Sequence, residues 1–162
     1  MSILVNVNME DNFKIVDGKM VTAAVVMIDP DGNILGCHAY GRKENEGYDF
    51  PKGCVDEGED DLQAAIRELR EETDIHLLDY DRARIIDAGV FPHNKEKRIH
   101  IFIYKTDYFP DLSQLKCTSY FEFKGKEYPE VDGYKIISKD ERYMFNKVLQ
   151  DKFIIIDKYN KM

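Results

Sequence analysis

Residues 50–75 read FPKGCVDEGEDDLQAAIRELREETDI, and their charges pose a physical problem. Glu68, Glu71 and Glu72 stand at i, i+3 and i+4, which are neighbouring positions on a helix surface. Each like-charged pair so placed destabilises an isolated helix by roughly 0.2–0.5 kcal/mol. At about 100° per residue, Leu62, Ala65, Ile66, Leu69 and Thr73 gather on one side as a core face. The three glutamates form a single acidic stripe beside it, with Asp61 close by and Ala64 leaving space within the stripe. Arg67, Arg70 and Gln63 take the opposite flank. A helix selected only for solubility would interleave its signs. Clustered carboxylates on a rigid element instead suit a hard divalent cation, which prefers oxygen ligands and compensates the repulsion. The competing reading is a solvated charged face supported by the Arg67–Glu71 i, i+4 pair.

The loop before the helix adds to the metal reading. Gly53 and Gly58 bracket CVDE, and Pro51 fixes the approach from Phe50. Glycine in such a loop lets backbone approach an ion or a phosphate closely. Outward from here the chain alternates strands and turns. MVTAAVVMI (20–28) is a continuous, β-branched apolar run that suits a buried strand. DPDG (29–32) is turn chemistry, and NILGCHAYG (33–41) returns as the second arm of a hairpin. ARIIDAGVF (83–91), RIHIFIYKTDYF (98–109) and DGYKIIS (132–138) read as further strands, and ILVNV (3–7) as an edge strand. A second helix is expected from Lys139 to Leu149, opened by a Ser138/Glu141 capping box, with Tyr143, Met144, Val148 and Leu149 on its apolar face. Strands dominate without regular βαβ alternation, which favours a mixed sheet sandwiched between helices.

Composition bounds the function. The chain has 162 residues, 43% of them hydrophobic, and no linker, repeat or low-complexity segment, so residues 1–162 read as one domain. A net charge of −8 argues against broad non-specific binding to nucleic acid or anionic membrane. No signal peptide is visible, and no apolar stretch approaches the ~20 residues of a membrane span. Cys37, Cys54 and Cys117 are odd in number and widely spaced, which fits neither a disulfide framework nor a cysteine zinc site. A soluble protein of a reducing cytoplasm is expected.

Gly53, five residues, Glu59, seven residues, then Arg67-Glu68-Leu69-Arg70-Glu71-Glu72-Thr73-Asp74-Ile75 resembles the Nudix box, with Asp74 in place of the family's final glycine. The resemblance implies a Nudix-type α/β/α sandwich with a mixed β-sheet. It implies hydrolysis of a nucleoside diphosphate linked to another group, using Mg²⁺ or Mn²⁺. Carried onto this chain, Glu68, Glu71 and Glu72 hold metal, Glu59 and the Gly53 carbonyl complete or support the set, and Arg67 orients a glutamate. The proton acceptor stays open among Glu71, Glu72 and the later Glu122, Glu127 and Glu130. FPKG resembles members that cleave dinucleoside polyphosphates and diphosphoinositol polyphosphates, which puts Phe50 and Lys52 on the substrate side. Arg98 and His100, in the basic stretch HNKEKRIHIFIYK, are candidates to face a polyphosphate; the bland reading is a solvated hairpin loop. Similar boxes occur in enzymes that trim RNA 5′ ends, a second reading that predicts a basic RNA path. A non-catalytic binding module is the third, disfavoured because no box glutamate is lost.

Overall fold

The computed structural model describes residues 12–162, so the strand expected at 3–7 lies outside the described residues. A short β1 (Ile15–Val16) leads into β2 (Lys19–Ile28), the expected buried strand. β2 runs parallel to β7 (Lys97–Lys105) along its whole length, from Met20 opposite Lys97 to Ile28 opposite Lys105. β3 (Ile34–Ala39), β6 (Ile85–Pro92) and β10 (Val131–Ile137) complete the path β10-β3-β2-β7-β6, all other pairings being antiparallel. The sheet is therefore mixed.

Its two faces explain the unbroken apolar runs. Val21, Ala23, Val25 and Met27 pack with Ala64, Ala65 and Leu69 of the helix α1 (Asp61–Thr73). Ala24, Val26 and Ile28, with Ile99, Ile101 and Ile103, pack on the other side against Leu149, Phe153 and Ile156. Both sides of β2 are dry, so its sequence shows no period of two. Helical segments cover each face, giving a three-layer sandwich.

The turn at 29–32 forms as expected. Asp29 accepts from the backbone of Asp31 and Asn33 at 3.0 and 2.9 Å, and Gly32 donates to the Asp29 carbonyl. The arms of that hairpin separate at once, since only Ile28 and Ile34 are paired. Farther along the same edge of β2, Thr22–Ala24 instead pair with β5 (Lys52–Cys54). The splayed hairpin thus admits the FPKG loop into the sheet. A two-residue strand, β4 (Tyr48–Asp49), pairs with β3 beside it.

The helix expected over 139–149 is not continuous. Two 3₁₀ turns, Lys139–Met144 and Lys147–Lys152, replace it, followed by a helix at Phe153–Asn160. The Ser138/Glu141 capping box is present. The break falls at Phe145, whose ring sits 5.3 and 5.4 Å from those of Phe50 and Phe153, while Asn146 donates to the Tyr48 carbonyl. Inserting Phe145 into that aromatic group forces extended backbone where a helix would turn the ring away. Met144 and Leu149 are buried, but Tyr143 and Val148 are exposed.

Arg142 locks this layer to the sheet. Its guanidinium donates to both Asp157 oxygens at 2.6 and 2.7 Å and to the Gly32 carbonyl at 3.1 Å, and lies over the Phe153 ring. The hydrogen bonds from Arg142 hold the Asp157 carboxyl below the ordinary aspartate range. A depressed folded pKa contributes stability above the unfolded value of about 4, and loses it as pH falls through the folded value. Asp157→Asn is expected to cost about 2–3 kcal/mol at neutral pH. In urea titrations the gap from wild type should narrow steadily below about pH 4; a gap constant with pH would show that the ion pair does not stabilise the fold.

Candidate active site

The box helix begins at Asp60 and ends where Asp74 adopts a left-handed conformation, φ 63° and ψ 21°, its amide bonding the Arg70 carbonyl. Asp fills the position where the family has glycine, and it takes the same backbone shape at a modest cost. Along the helix the buried arc is wider than the apolar face. Ala64, Glu68 and Glu72 are buried together with Ala65, Leu69 and Thr73. Ala64 is fully covered and leaves no space above it. Two glutamates of the acidic stripe, Glu68 and Glu72, are turned into the protein, while Glu71 stays half-exposed.

Burial is felt at the carboxyls. Glu68 is pushed up to about 7, first by burial and then by Glu71 and Glu130, with Arg67 opposing. Glu72 is raised well above the usual range by burial and by the Glu68 charge. For both of these carboxyls burial, ahead of the neighbouring charges, is the larger cause of the rise.

Arg67 stands among these acids. Its Nε and Nη2 donate to the two oxygens of Glu59 at 2.9 and 3.0 Å. Nη1 reaches Glu68 at 3.0 Å and Glu71 at 3.3 Å, and Nη2 also reaches the Cys54 carbonyl. Glu59 is therefore a support for Arg67. Glu68 and Glu71 turn toward the guanidinium, and among the described residues no three acidic, His or Cys side chains converge as a finished cation cage.

β5 meets the helix through adjacent residues. A Cβ on Gly53 would lie 2.1 Å from the Glu68 carboxyl carbon, so only glycine admits that carboxylate against the strand. The Lys52 amide points to Glu72 Oε1 at 3.4 Å, and its ammonium pairs with Asp49 at 3.1 Å. Burial opposes the Lys52 charge, yet Asp49 and Glu72 outweigh it and raise its pKa. A cavity of about 160 Å³ is lined here by Asp49, Phe50, Lys52, Glu72 and Glu130, with Cys37 below. Glu130 is raised by partial loss of hydration and by Glu71. Tyr134 donates to the Glu72 carbonyl at 2.5 Å, and Thr118 to that of Glu71, which pins the end of the helix.

Several expected residues lie elsewhere or do other work. Phe50 is 1% exposed and packs in the aromatic core, although it also lines the cavity. Arg98 reaches Asp17. His100 is held between Asp61 and Asp87 at 2.7 Å each, stacked on Phe102 at the opposite end of the helix from Glu72. The alternation along β7 sets His100 on the helix-facing side, where Asp61 captures it. Glu122 and Glu127 sit opposite each other on an exposed ribbon. Asp49 was not singled out from sequence; its spacing of three from Lys52 was the available signal.

The chain is similar to known proteins in both sequence and fold. The NUDIX domain profile matches residues 18–142. The chain is 36% identical over 121 residues to an RNA pyrophosphohydrolase of Helicobacter pylori, covering 71% of this chain and 74% of the relative. In fold it is similar to a bifunctional NMN adenylyltransferase/ADP ribose pyrophosphatase of Francisella tularensis, with TM-score 0.61 and 20% identity over 96% of this chain. It spans 45% of that protein's length. The NUDIX domain of Shewanella oneidensis NrtR, solved with ADP ribose, gives TM-score 0.63 at 13% identity, covering 96% of this chain and 98% of that one. With the box glutamates, their arginine and the sandwich that carries them all in place, the chain belongs to the Nudix family and is a hydrolase of pyrophosphate bonds.

Proposed function

We propose that the chain splits a pyrophosphate bond in the 5′-terminal polyphosphate of a nucleotide chain, removing phosphates from RNA 5′ ends. The observation that carries the chemistry is the cavity shared by the Lys52 ammonium and the carboxylates of Glu72 and Glu130, directly beside the box helix. The 36% identity to an RNA pyrophosphohydrolase favours RNA as the bearer of the polyphosphate. Dinucleoside polyphosphates are the second reading, favoured by Lys52 in FPKG, and they present the same run of phosphates next to a nucleoside.

The residues fit a hard divalent cation, Mg²⁺ or Mn²⁺. The donors are carboxylates, two of them buried and raised in pKa, and the Gly53 cradle admits Glu68 where any Cβ would exclude it. Glu68, Glu71, Glu72 and the Gly53 carbonyl would hold it, with Arg67 and Glu59 fixing the carboxylates from behind. When bound, such an ion neutralises phosphate charge and makes the attacking water more acidic. Lys52 exchanges Asp49 for phosphate oxygens, a charge-assisted contact that fixes the polyphosphate in line. Water attacks phosphorus, the bridging P–O bond breaks, and the departing phosphate takes the bonding pair. Glu130 takes the proton of that water: of the three later glutamates it lines the cavity, whereas Glu122 and Glu127 face one another on the ribbon.

Glu130→Gln is expected to lower kcat by about a hundredfold or more with the fold intact, while Glu122→Gln stays near wild type. Equal effects of the two would remove Glu130 from the chemistry. Gly53→Ala should remain folded, because the side chain it displaces has a flexible end. Yet kcat should fall about a hundredfold as Glu68 is pushed aside. A Gly53→Ala enzyme of wild-type activity would refute the cradle. For substrate, kcat/KM should be measured on 5′-triphosphate RNA, diadenosine tetraphosphate and ADP-ribose at two ionic strengths, with Mg²⁺ or Mn²⁺ and in excess EDTA. RNA should lead and fall steeply with salt, Lys52→Ala should reduce its advantage, and EDTA should stop all three reactions. Preference for ADP-ribose with no effect of Lys52→Ala would overturn both polyphosphate readings.

A further inference from the structure

β8 (Tyr120–Phe123) and β9 (Lys126–Pro129) form a ribbon that pairs with no strand of the main sheet. Two strands alone are marginal in water, so their side chains would ordinarily be chosen for cohesion. Phe121 and Tyr128 supply one such pair, their rings 5.8 Å apart across the strands, but their neighbours run against it. Glu122 lies directly opposite Glu127, an unfavourable cross-strand pair, and Phe121 and Phe123 are 40% and 56% exposed.

The register sorts the ribbon into two unlike faces. Directly paired residues share a face, so Phe121 with Tyr128 and Phe123 with Lys126 lie on one side. Glu122 and Glu127 lie on the other, together with Tyr120 and Pro129. At the turn, Lys124 places its ammonium 5.3 Å over the Phe123 ring, a second cation on the aromatic side. Tyr40, from the loop after β3, extends the surface with its ring 5.0 Å from Tyr128 and 6.1 Å from Phe121. In a chain of net charge −8, one face joins four aromatic rings to two lysines.

That face is continuous with the catalytic cavity. The Tyr40 amide donates to the Glu130 carbonyl at 3.1 Å, and the Glu130 amide to the Ser119 carbonyl at 3.0 Å. The Glu130 side chain that lines the cavity and the rings of the platform therefore belong to one hydrogen-bonded strip. Successive aromatic rings flanked by cations are what a single strand of nucleic acid requires: each base has a π-face to stack, and each phosphate a charge to neutralise.

We propose that the face formed by Tyr40, Phe121, Phe123 and Tyr128, with Lys124 and Lys126, receives the first nucleobases of a single-stranded RNA whose 5′ polyphosphate lies at Lys52 and Glu130. The proposal rests on the RNA reading above and assigns the strand its path. A mononucleotide would reach only the near edge of this surface, whereas a strand of several nucleotides would run along it.

The test separates binding from catalysis. A 5′-monophosphate RNA tetranucleotide carrying 2-aminopurine cannot be cleaved, and stacking quenches its fluorescence. Wild type should quench it saturably. Phe121→Leu and Tyr40→Leu, which remove a ring and keep apolar bulk, should each weaken binding by about tenfold. Phe121→Tyr should restore it. Should Phe121→Leu unfold the ribbon, Tyr40→Leu decides, because Tyr40 lies outside it. In turnover, kcat/KM for a triphosphate tetranucleotide should exceed that for ATP, and the leucine variants should close the gap through KM. Absence of quenching, or leucine variants that bind as wild type does, would overturn the platform. So would leucine variants that only dissolve a dimer seen in sedimentation. Equal losses for diadenosine tetraphosphate and the tetranucleotide would overturn the strand path. Quenching with the expected variant losses, but no hydrolysis of any RNA, would support the platform while refuting the RNA-trimming reading.

Discussion

The Arg67 guanidinium is the interaction on which the site depends. One side chain satisfies Glu59 bidentately, reaches Glu68 and Glu71, and caps the Cys54 carbonyl. It therefore ties together three pieces of chain: the loop before the helix, the helix itself and strand β5. Burying carboxylates costs several kcal/mol each unless partners replace their water. A planar cation with five donors meets that requirement in a geometry that lysine does not reproduce. The cost left uncompensated falls on Glu68 and Glu72, which Arg67 serves at one oxygen or not at all, and those are the two carboxyls whose pKa values burial raises most clearly.

The sheet supplies the second constraint. β5 pairs Lys52 with Ala24 and Gly53 with Ala23, and those two alanines lie in different cores. Alternation along the strand thus sends adjacent residues to opposite sides. Gly53 faces the helix and makes room for Glu68; Lys52 faces Asp49 and the cavity. The glycine that makes room for Glu68 and the lysine that lines the cavity are thus separated by a single peptide unit. This division requires β5 to enter the sheet, and it enters because the β2–β3 hairpin parts after one pair of residues.

Much of this was legible in the sequence because it repeats locally. The box spacing, the amphipathic helix, the apolar run at 20–28 and the DPDG turn each declare themselves within a few residues, and Asp74 accepts the left-handed geometry the box requires. What was not legible depends on partners distant in the chain. Phe145 breaks the expected helix because Phe50 and Phe153 hold its ring, and no window around residue 145 contains either. His100 and Arg98 looked available for phosphate because they stand in a basic stretch, but Asp61, Asp87 and Asp17 come from other elements to claim them. The acidic stripe was visible as a stripe; that Glu68 and Glu72 face inward followed only from β5 packing over it. Glu130 could not be separated from Glu122 and Glu127 by sequence, since all three share one segment and differ only in which way the backbone aims them.

Charge around the site is unevenly distributed. An acidic chain repels polyanions at long range, so recognition of a polyphosphate has to be local. Here the cations near the site occupy distinct stations. Arg67 is consumed by carboxylates, Lys52 stands at the cavity paired to one aspartate, and Lys124 and Lys126 lie on the aromatic face of the ribbon with Glu122 and Glu127 turned away. On the RNA reading proposed above, the free energy of binding in such a site would come mainly from short-range pairing and stacking, and such contacts are sensitive to orientation. A substrate of the proposed kind would then have to present phosphates and bases in the order in which the surface offers ammonium and rings. On that reading net charge, which by itself argues against nucleic acid, would act as a filter against polyanions lacking that order.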